Sequence, residues 1–213
     1  MEFLVTMTTH VPDGTSSGEV DGVKAREAAH TRDLAAQGHV LRLWRPPLAP
    51  GEWRTLGLFA AADPAELEQV LASMPLKVWR TDDVQELSAH PNDPAPGTWS
   101  PDSPGAHGTE FLVSFTLAVP GGTAPTELGD ARAQEAQSTG ELARQGHLVR
   151  LWELPGQGQP WALGLWRAAS PPEMAAILDA LPLSKYLTNE ITELTPHPSD
   201  PMAPGSRPAQ LGP

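Results

Sequence analysis

The alternation of apolar and polar residues begins at once. Residues 2–8 (EFLVTMT) are rich in β-formers and are followed by the turn-forming Pro12-Asp13-Gly14, which predicts a first strand. Ser16-Ser17-Gly18-Glu19 offers an N-cap with a capping-box Glu, opening a helix that runs to about Gln37, where Gly38 is a suitable C-cap. His39 to Arg45 alternates as a second strand, Pro46 to Gly51 makes a loop, and Trp53 to Ala61 reads as a third strand. Asp63-Pro64 opens a short helix with Leu67, Val70 and Leu71 at helical spacing, and Pro75 ends it. Residues 81–88 (TDDVQELS) fit a short, edge-like last strand. The order is βαββαβ.

The pattern then returns. Residues 34–44 read LAAQGHVLRLW and residues 142–152 read LARQGHLVRLW, eight identities in eleven positions at an offset of 108. A one-residue deletion shifts the offset to 107, so that Met74-Pro75-Leu76 matches Leu181-Pro182-Leu183 and His90-Pro91-Asn92-Asp93-Pro94 matches His197-Pro198-Ser199-Asp200-Pro201. Agreement of this length points to a tandem duplication. The second copy is expected to place strands at 110–119, 146–154, 160–168 and 186–194, with helices at 125–145 and 171–180. The expected organisation is a first repeat over 1–93, a Pro/Gly-rich linker over 94–108, a second repeat over 109–196 and a disordered tail over 197–213. This is an α+β chain of two ferredoxin-like domains. Each sheet has helices on one face only, so sheet-to-sheet pairing as an intramolecular pseudo-dimer is the expected way to cover the other face.

Composition narrows the chemistry. There are no cysteines, which removes disulfides, thiolate metal sites and a Cys nucleophile. A net charge of −12 argues against nucleic acid and anionic membranes as partners. The start MEFLVTMTTH lacks a signal-peptide pattern, and no apolar run is long enough to span a bilayer, so a cytoplasmic protein is expected. The seven histidines show no metal-ligand spacing, and no phosphate loop, dinucleotide fingerprint or nucleophile elbow is present. The expectation is a chain with neither metal nor cofactor.

On the first helix, Val20, Val23, Glu27, His30 and Leu34 share one face, and Leu128, Ala131, Glu135, Ser138 and Leu142 repeat it. A carboxylate inside an apolar stripe is partly desolvated, which raises its pKa toward the range of a general base. Lys24 precedes Glu27 by one turn and Arg132 holds the same place before Glu135; a surface ion pair is the plainer reading of that spacing. In the second strand, alternation puts Val40, Arg42 and Trp44 on one face and His39, Leu41 and Leu43 on the other. Arg42 beside Trp44, and Arg150 beside Trp152, would suit a planar carboxylate-bearing substrate; equally, the tryptophans fill a core while the arginines pair with acids. His39 and His147 follow a helix-ending glycine, where a structural hydrogen bond competes with a functional role. His90 and His197 read as marks of chain exit.

Taken together, the N-terminal strand, Lys24-Ala25-Arg26-Glu27, Leu34 with Gln37-Gly38, Leu43-Trp44-Arg45, Met74-Pro75-Leu76 and His90-Pro91 resemble the muconolactone delta-isomerase family, over nearly the whole of each copy. The resemblance implies small ferredoxin-like subunits that assemble further, and a cofactor-independent shift of a double bond in a small carboxylated lactone. It implies Glu27 as the base, Lys24 as the group that stabilises or reprotonates the enolate, and Arg42 or Arg45 as the carboxylate holder. The second copy carries Arg132 for Lys24 and Glu153 for Arg45. Arginine is no proton donor near neutrality, so a single working site falls to the first copy. Where the family has a polar pattern resembling Asn-x-Ser-x-Phe-Asp in strand three, this chain reads Thr55-Leu56-Gly57-Leu58-Phe59-Ala60, and Ala162-Leu163-Gly164-Leu165-Trp166-Arg167. Those changes keep two alternatives open: a non-catalytic small-molecule-binding protein, and a related cofactor-free enzyme such as a lactone dehalogenase or small monooxygenase.

Overall fold

The computed structural model describes residues 1–94, 105, 107–155 and 160–203. The expected linker over 95–104 and 106, and the tail beyond Ala203, lie outside the described residues. The chain divides into two units, Met1–Leu87 with Thr195–Pro213, and Ser88–Leu194.

The first unit holds β1 (Glu2–Thr9), α1 (Ser17–Ala36), β2 (Val40–Arg45), β3 (Arg54–Ala60), α2 (Pro64–Ser73), a single 3-10 turn at Pro75–Trp79, and most of β4 (Arg80–Ala89). Its sheet runs β4–β1–β3–β2, every pair antiparallel. Beyond β2 lies the end of β8 (Leu187–Pro196), with Trp44 opposite Pro196 and Arg45 opposite Thr195. The second unit repeats the plan with β5 (Thr109–Leu117), α3 (Pro125–Arg144), β6 (Leu148–Glu153), β7 (Ala162–Ala168), α4 (Pro171–Asp179), a 3-10 turn at Ser184–Tyr186, and β8. Its sheet runs β8–β5–β7–β6, and the end of β4 sits beside β6, with Ser88 opposite Glu153 and Ala89 opposite Trp152. This is the α+β, antiparallel, ferredoxin-like order read from the sequence.

Local chemistry sets the helix ends. Ser16 Oγ accepts from Glu19 N–H at 3.2 Å, and Asp63 Oδ1 accepts from Glu66 N–H at 2.9 Å. Gly38 lies at φ +84, with its N–H on Ala35 O and His39 N–H on Leu34 O. That double bond is a Schellman end, which only a residue at ease with positive φ closes without strain. Gly146 repeats it at the end of α3. In β1 every second side chain, Phe3, Val5 and Met7, is buried against Leu34 of α1, Leu67, Val70 and Leu71 of α2, and Phe59 of β3. Phe111, Val113 and Phe115 do the same in the second unit, against Met174, Leu178 and Trp166.

Three expectations are corrected. The strand expected at 81–88 is longer, the ten-residue β4 at the end of this sheet, laddered along β1 from Glu2 opposite Leu87 to Thr9 opposite Arg80. The simple alternation of β2 fails because the register shifts between Val40 and Arg42, a bulge that puts Val40 with Leu43 in the core. The same shift lies between Leu148 and Arg150. Within residues 197–203, read as the start of a tail, Asp200 is fully buried in the first unit.

Candidate functional site

Among the described residues, each unit presents a cavity walled by the middle of its long helix, by its sheet and by residues in or flanking the 3-10 turn. In the first unit the cavity has a volume of about 480 Å³ and takes in Lys24, Glu27 and Thr31 from α1, Arg45 from β2, Trp53 and Arg54 before and in β3, and Arg80 from β4. His197, Pro198 and Ser199 supply the remaining wall. In the second unit the cavity is about 390 Å³ and presents the matching positions: Arg132, Glu135, Thr139, Glu153 and Leu187, closed by His90, Pro91 and Asn92. The closing segment of each unit therefore comes from the end of the other sequence repeat.

Glu27 is the centre of the first cavity. Its Oε2 accepts Leu76 N–H at 2.8 Å and its Oε1 meets Arg80 Nη1 at 3.2 Å. Burial pushes its carboxyl above the ordinary range; the Leu76 hydrogen bond and the Arg80 charge pull the other way without cancelling the effect. Arg80, with only 2% of its side chain exposed, is a buried hub. It donates from Nε to Asp82 Oδ1 at 2.6 Å and from Nη2 to Leu71 O at 3.3 Å, and touches Met74 sulfur. Lys77 completes the group at 2.7 Å from Asp82 Oδ2. A buried guanidinium needs such saturation, because an unpaired charge in a dry site costs several kcal/mol, roughly. Lys24 does not pair with Glu27 but lies 4.8 Å over the Trp53 ring, at the exposed mouth.

In the second unit Leu187 stands where Arg80 does, and Asn189 where Asp82 does. Glu135 accepts Leu183 N–H at 3.0 Å and, among the described residues, makes no ion pair. Burial pushes its carboxyl up, opposed by that hydrogen bond alone.

The closing segments are locked by acids, Asp200 fully buried and Asp93 partly so. Asp200 accepts from Arg42 Nε and Nη2 and from Leu43 N–H, the last at 3.1 Å, while His197 N–H donates to Leu43 O at 3.0 Å. Asp93 does the same with Arg150 and Leu151 N–H. Within the cavity His197 Nδ1 accepts Ser199 N–H at 3.1 Å, which leaves the proton of the neutral ring on Nε2. Burial, then the Arg45 charge, lowers its pKa to about 4, so the ring is neutral at ordinary pH. His90 copies this with Asn92 N–H at 3.0 Å.

The family model for muconolactone delta-isomerase matches residues 1–93 and again 109–200. The chain belongs to that family. A muconolactone delta-isomerase of Acinetobacter lwoffii is 32% identical over 92 residues, 43% of this chain and 93% of the relative. One from Rhodococcus opacus is 32% identical over 90 residues, 42% of this chain and 95% of the relative. A chlorite dismutase structure from Candidatus Nitrospira defluvii, at 12% identity, covers 91% of each chain with a TM-score of 0.56, a likeness of fold.

Of the residues the muconolactone delta-isomerase resemblance singled out, Lys24, Glu27 and Arg45 meet in the first cavity, and Arg132 and Glu135 meet in the second. Arg42 and Arg150 are drawn instead to Asp200 and Asp93, each guanidinium lying 4.7 and 4.9 Å respectively from the ring centre of its neighbour Trp44 or Trp152. Both tryptophans are buried, and neither is among the residues lining these two cavities. His39 and His147 bond through Nδ1 to Ala60 O and Arg167 O, away from the cavities. The cavity face of α1 carries Thr31 in place of His30, which pairs with Ser73 Oγ. Sequence reasoning passed over Arg80, Trp53, Thr31, His197 and His90. The repeated His-Pro was the available signal for the last two; Arg80, unmatched in the second copy, carried none.

Proposed function

We propose that the chain is a cofactor-independent isomerase that moves a carbon–carbon double bond within a small carboxylated lactone, in the first cavity. The observation that carries this is the Glu27 carboxylate, held in the cavity wall by Leu76 N–H and Arg80 and raised toward neutrality by burial. Glu27 takes a proton alpha to the lactone carbonyl, and the electron pair passes to the carbonyl oxygen as a dienolate. Return of a proton at the far carbon of that system moves the double bond and restores the carboxylate. The neutral His197, with Nε2–H available, and Lys24 are the donors for the dienolate oxygen, and Arg45 is the counter-ion for the substrate carboxylate. Arg80 is a positioning residue, fixing one oxygen of Glu27.

The fused-dimer arrangement expected from the sequence, and further self-association of the fused dimer, belong to this proposal; the mass of the full chain in solution checks the latter. The deciding experiment is a spectrophotometric assay with muconolactone. Glu27→Gln is expected to lower kcat by about 10²–10⁴, the range for loss of a general base, while Glu135→Gln stays within about twofold. Absence of turnover by the unmodified chain refutes the reading.

A further inference from the structure

We infer that the second cavity is a binding site for a small uncharged molecule, a single ring carrying one hydroxyl group, and that it rejects the anions that suit the first. The two cavities occupy equivalent places, so their differences can be read position by position. The first sets Lys24, Arg45, Arg54 and Arg80 against Glu27 and Glu52. The second sets Arg132 alone against Glu135 and Glu153. Arg80 to Leu187 removes the buried cation, and Arg45 to Glu153 reverses the charge beside the closing histidine.

The space opened is apolar. Phe115 replaces Met7, Ala162 replaces Thr55, and Trp166 adds an indole wall beside that of Trp161, where the first cavity has Trp53. Phe115 and Trp166 meet edge to face at 6.3 Å between ring centres, and His90 and Trp161 at 5.4 Å. Such a rim receives a flat ring well. At about 390 Å³ the cavity lies within the roughly 300–1,000 Å³ of small-molecule sites. The polar anchor is Glu135, whose Oε2 holds Leu183 N–H; its Oε1 is the oxygen a ligand meets. The Thr139 hydroxyl is engaged by Glu135 O at 2.8 Å. An anion entering here faces two carboxylates and one exposed, solvent-screened Arg132, whereas a neutral ring loses nothing by entry. This inference stands apart from the isomerase reading, since it concerns the other cavity.

The test uses the full chain with nitrogen-15-labelled tryptophan, titrated with benzyl alcohol and with benzoate, the same ring with and without charge. Trp161→Phe and Trp166→Phe assign the two indole N–H signals. Benzyl alcohol is expected to move both signals saturably, with benzoate at least about tenfold weaker, or about 1.4 kcal/mol. Leu187→Arg, which supplies the cation found in the first copy, is expected to reverse that order. No movement with benzyl alcohol, or equal binding of benzoate at these two signals, overturns the inference without need of any variant. A folded Leu187→Arg chain that keeps the original order also overturns it.

Discussion

Replacing Asp200 by alanine tests the closing segment more sharply than any change at the cavity floor. The side chain is fully buried and its partner Arg42 is only 12% exposed, with Arg42 Nη2 to Asp200 Oδ2 at 3.1 Å. Asp200→Ala takes away the guanidinium hydrogen bonds to this carboxylate and the acceptor of Leu43 N–H, at a place with little access to water. Removing one partner of such a buried pair costs about 3–5 kcal/mol. The second unit supplies the control. Asp93 and Arg150 have nearly the same geometry, at 3.2 Å, but are 13% and 29% exposed, so water reaches the guanidinium when the carboxylate is removed. Asp93→Ala is therefore expected to cost about 1–2 kcal/mol, nearer the range for a hydrogen bond to a charged group. A gap of about 2 kcal/mol is roughly a thirtyfold difference in local opening. Amide hydrogen exchange at Leu43 and Leu151 reads that opening directly, with urea midpoints alongside. Isomerase turnover should fall with Asp200→Ala, which frees His197, and hold with Asp93→Ala. Equal protection loss at the two amides, or a larger loss from Asp93→Ala, would refute the reasoning from burial.

Other expectations follow from the same geometry. His197 sits at a pKa of about 4 against an ordinary 6.5, so the unfolded chain takes up the proton first; stability should fall as pH drops through that window, and His197→Gln should flatten that part of the urea-midpoint profile. Glu135 has the opposite sign. Its carboxyl is raised, so the folded unit keeps the proton longer, and its stabilising effect is lost as pH rises above 4.5 through the folded value. Glu135→Gln should raise the urea midpoint near about pH 7 and leave it unchanged near about pH 4. Arg80→Leu, which gives the first copy the residue of the second, should cost about 3–5 kcal/mol. It should also move the acidic limb of kcat toward higher pH as Glu27 loses its cation, and an unmoved limb would mean that Arg80 does not tune Glu27.

What was legible in the sequence was what short-range chemistry specifies. Ser16, Gly38, Asp63 and Pro64 fix helix ends through bonds to neighbours a few positions away, so both helices and the strand order could be read. The face of α1 that bears Glu27 could be read too, to within one residue: Thr31 rather than His30 completes it. The bulge in β2 could not, because an extra residue in a strand leaves no mark until its partner strand is placed. Nor could the role of Arg80, whose meaning depends on Glu27, fifty-three positions away. Asp93 and Asp200 stood in plain view within the repeated His-Pro-x-Asp-Pro, yet their pairing depends on contacts 57 and 158 residues distant in sequence, respectively. Arg42 and Trp44 had two readings, and the local pattern had no means of choosing between a substrate and Asp200.

The crossing of the closing segments changes what counts as one heritable part. Residues 197–199 are encoded with the second repeat but wall the cavity of the first unit, and residues 90–92 do the reverse. A copy drifting toward a new ligand is thus free in its helix and sheet but answerable, over its last few residues, to its twin. Grafting either repeat alone onto another chain would carry most of one cavity without its closing segment, and only the closing segment of the other. Recombination that respects function must cut at Leu87 and Thr195, where the units divide, and not where the repeats begin and end.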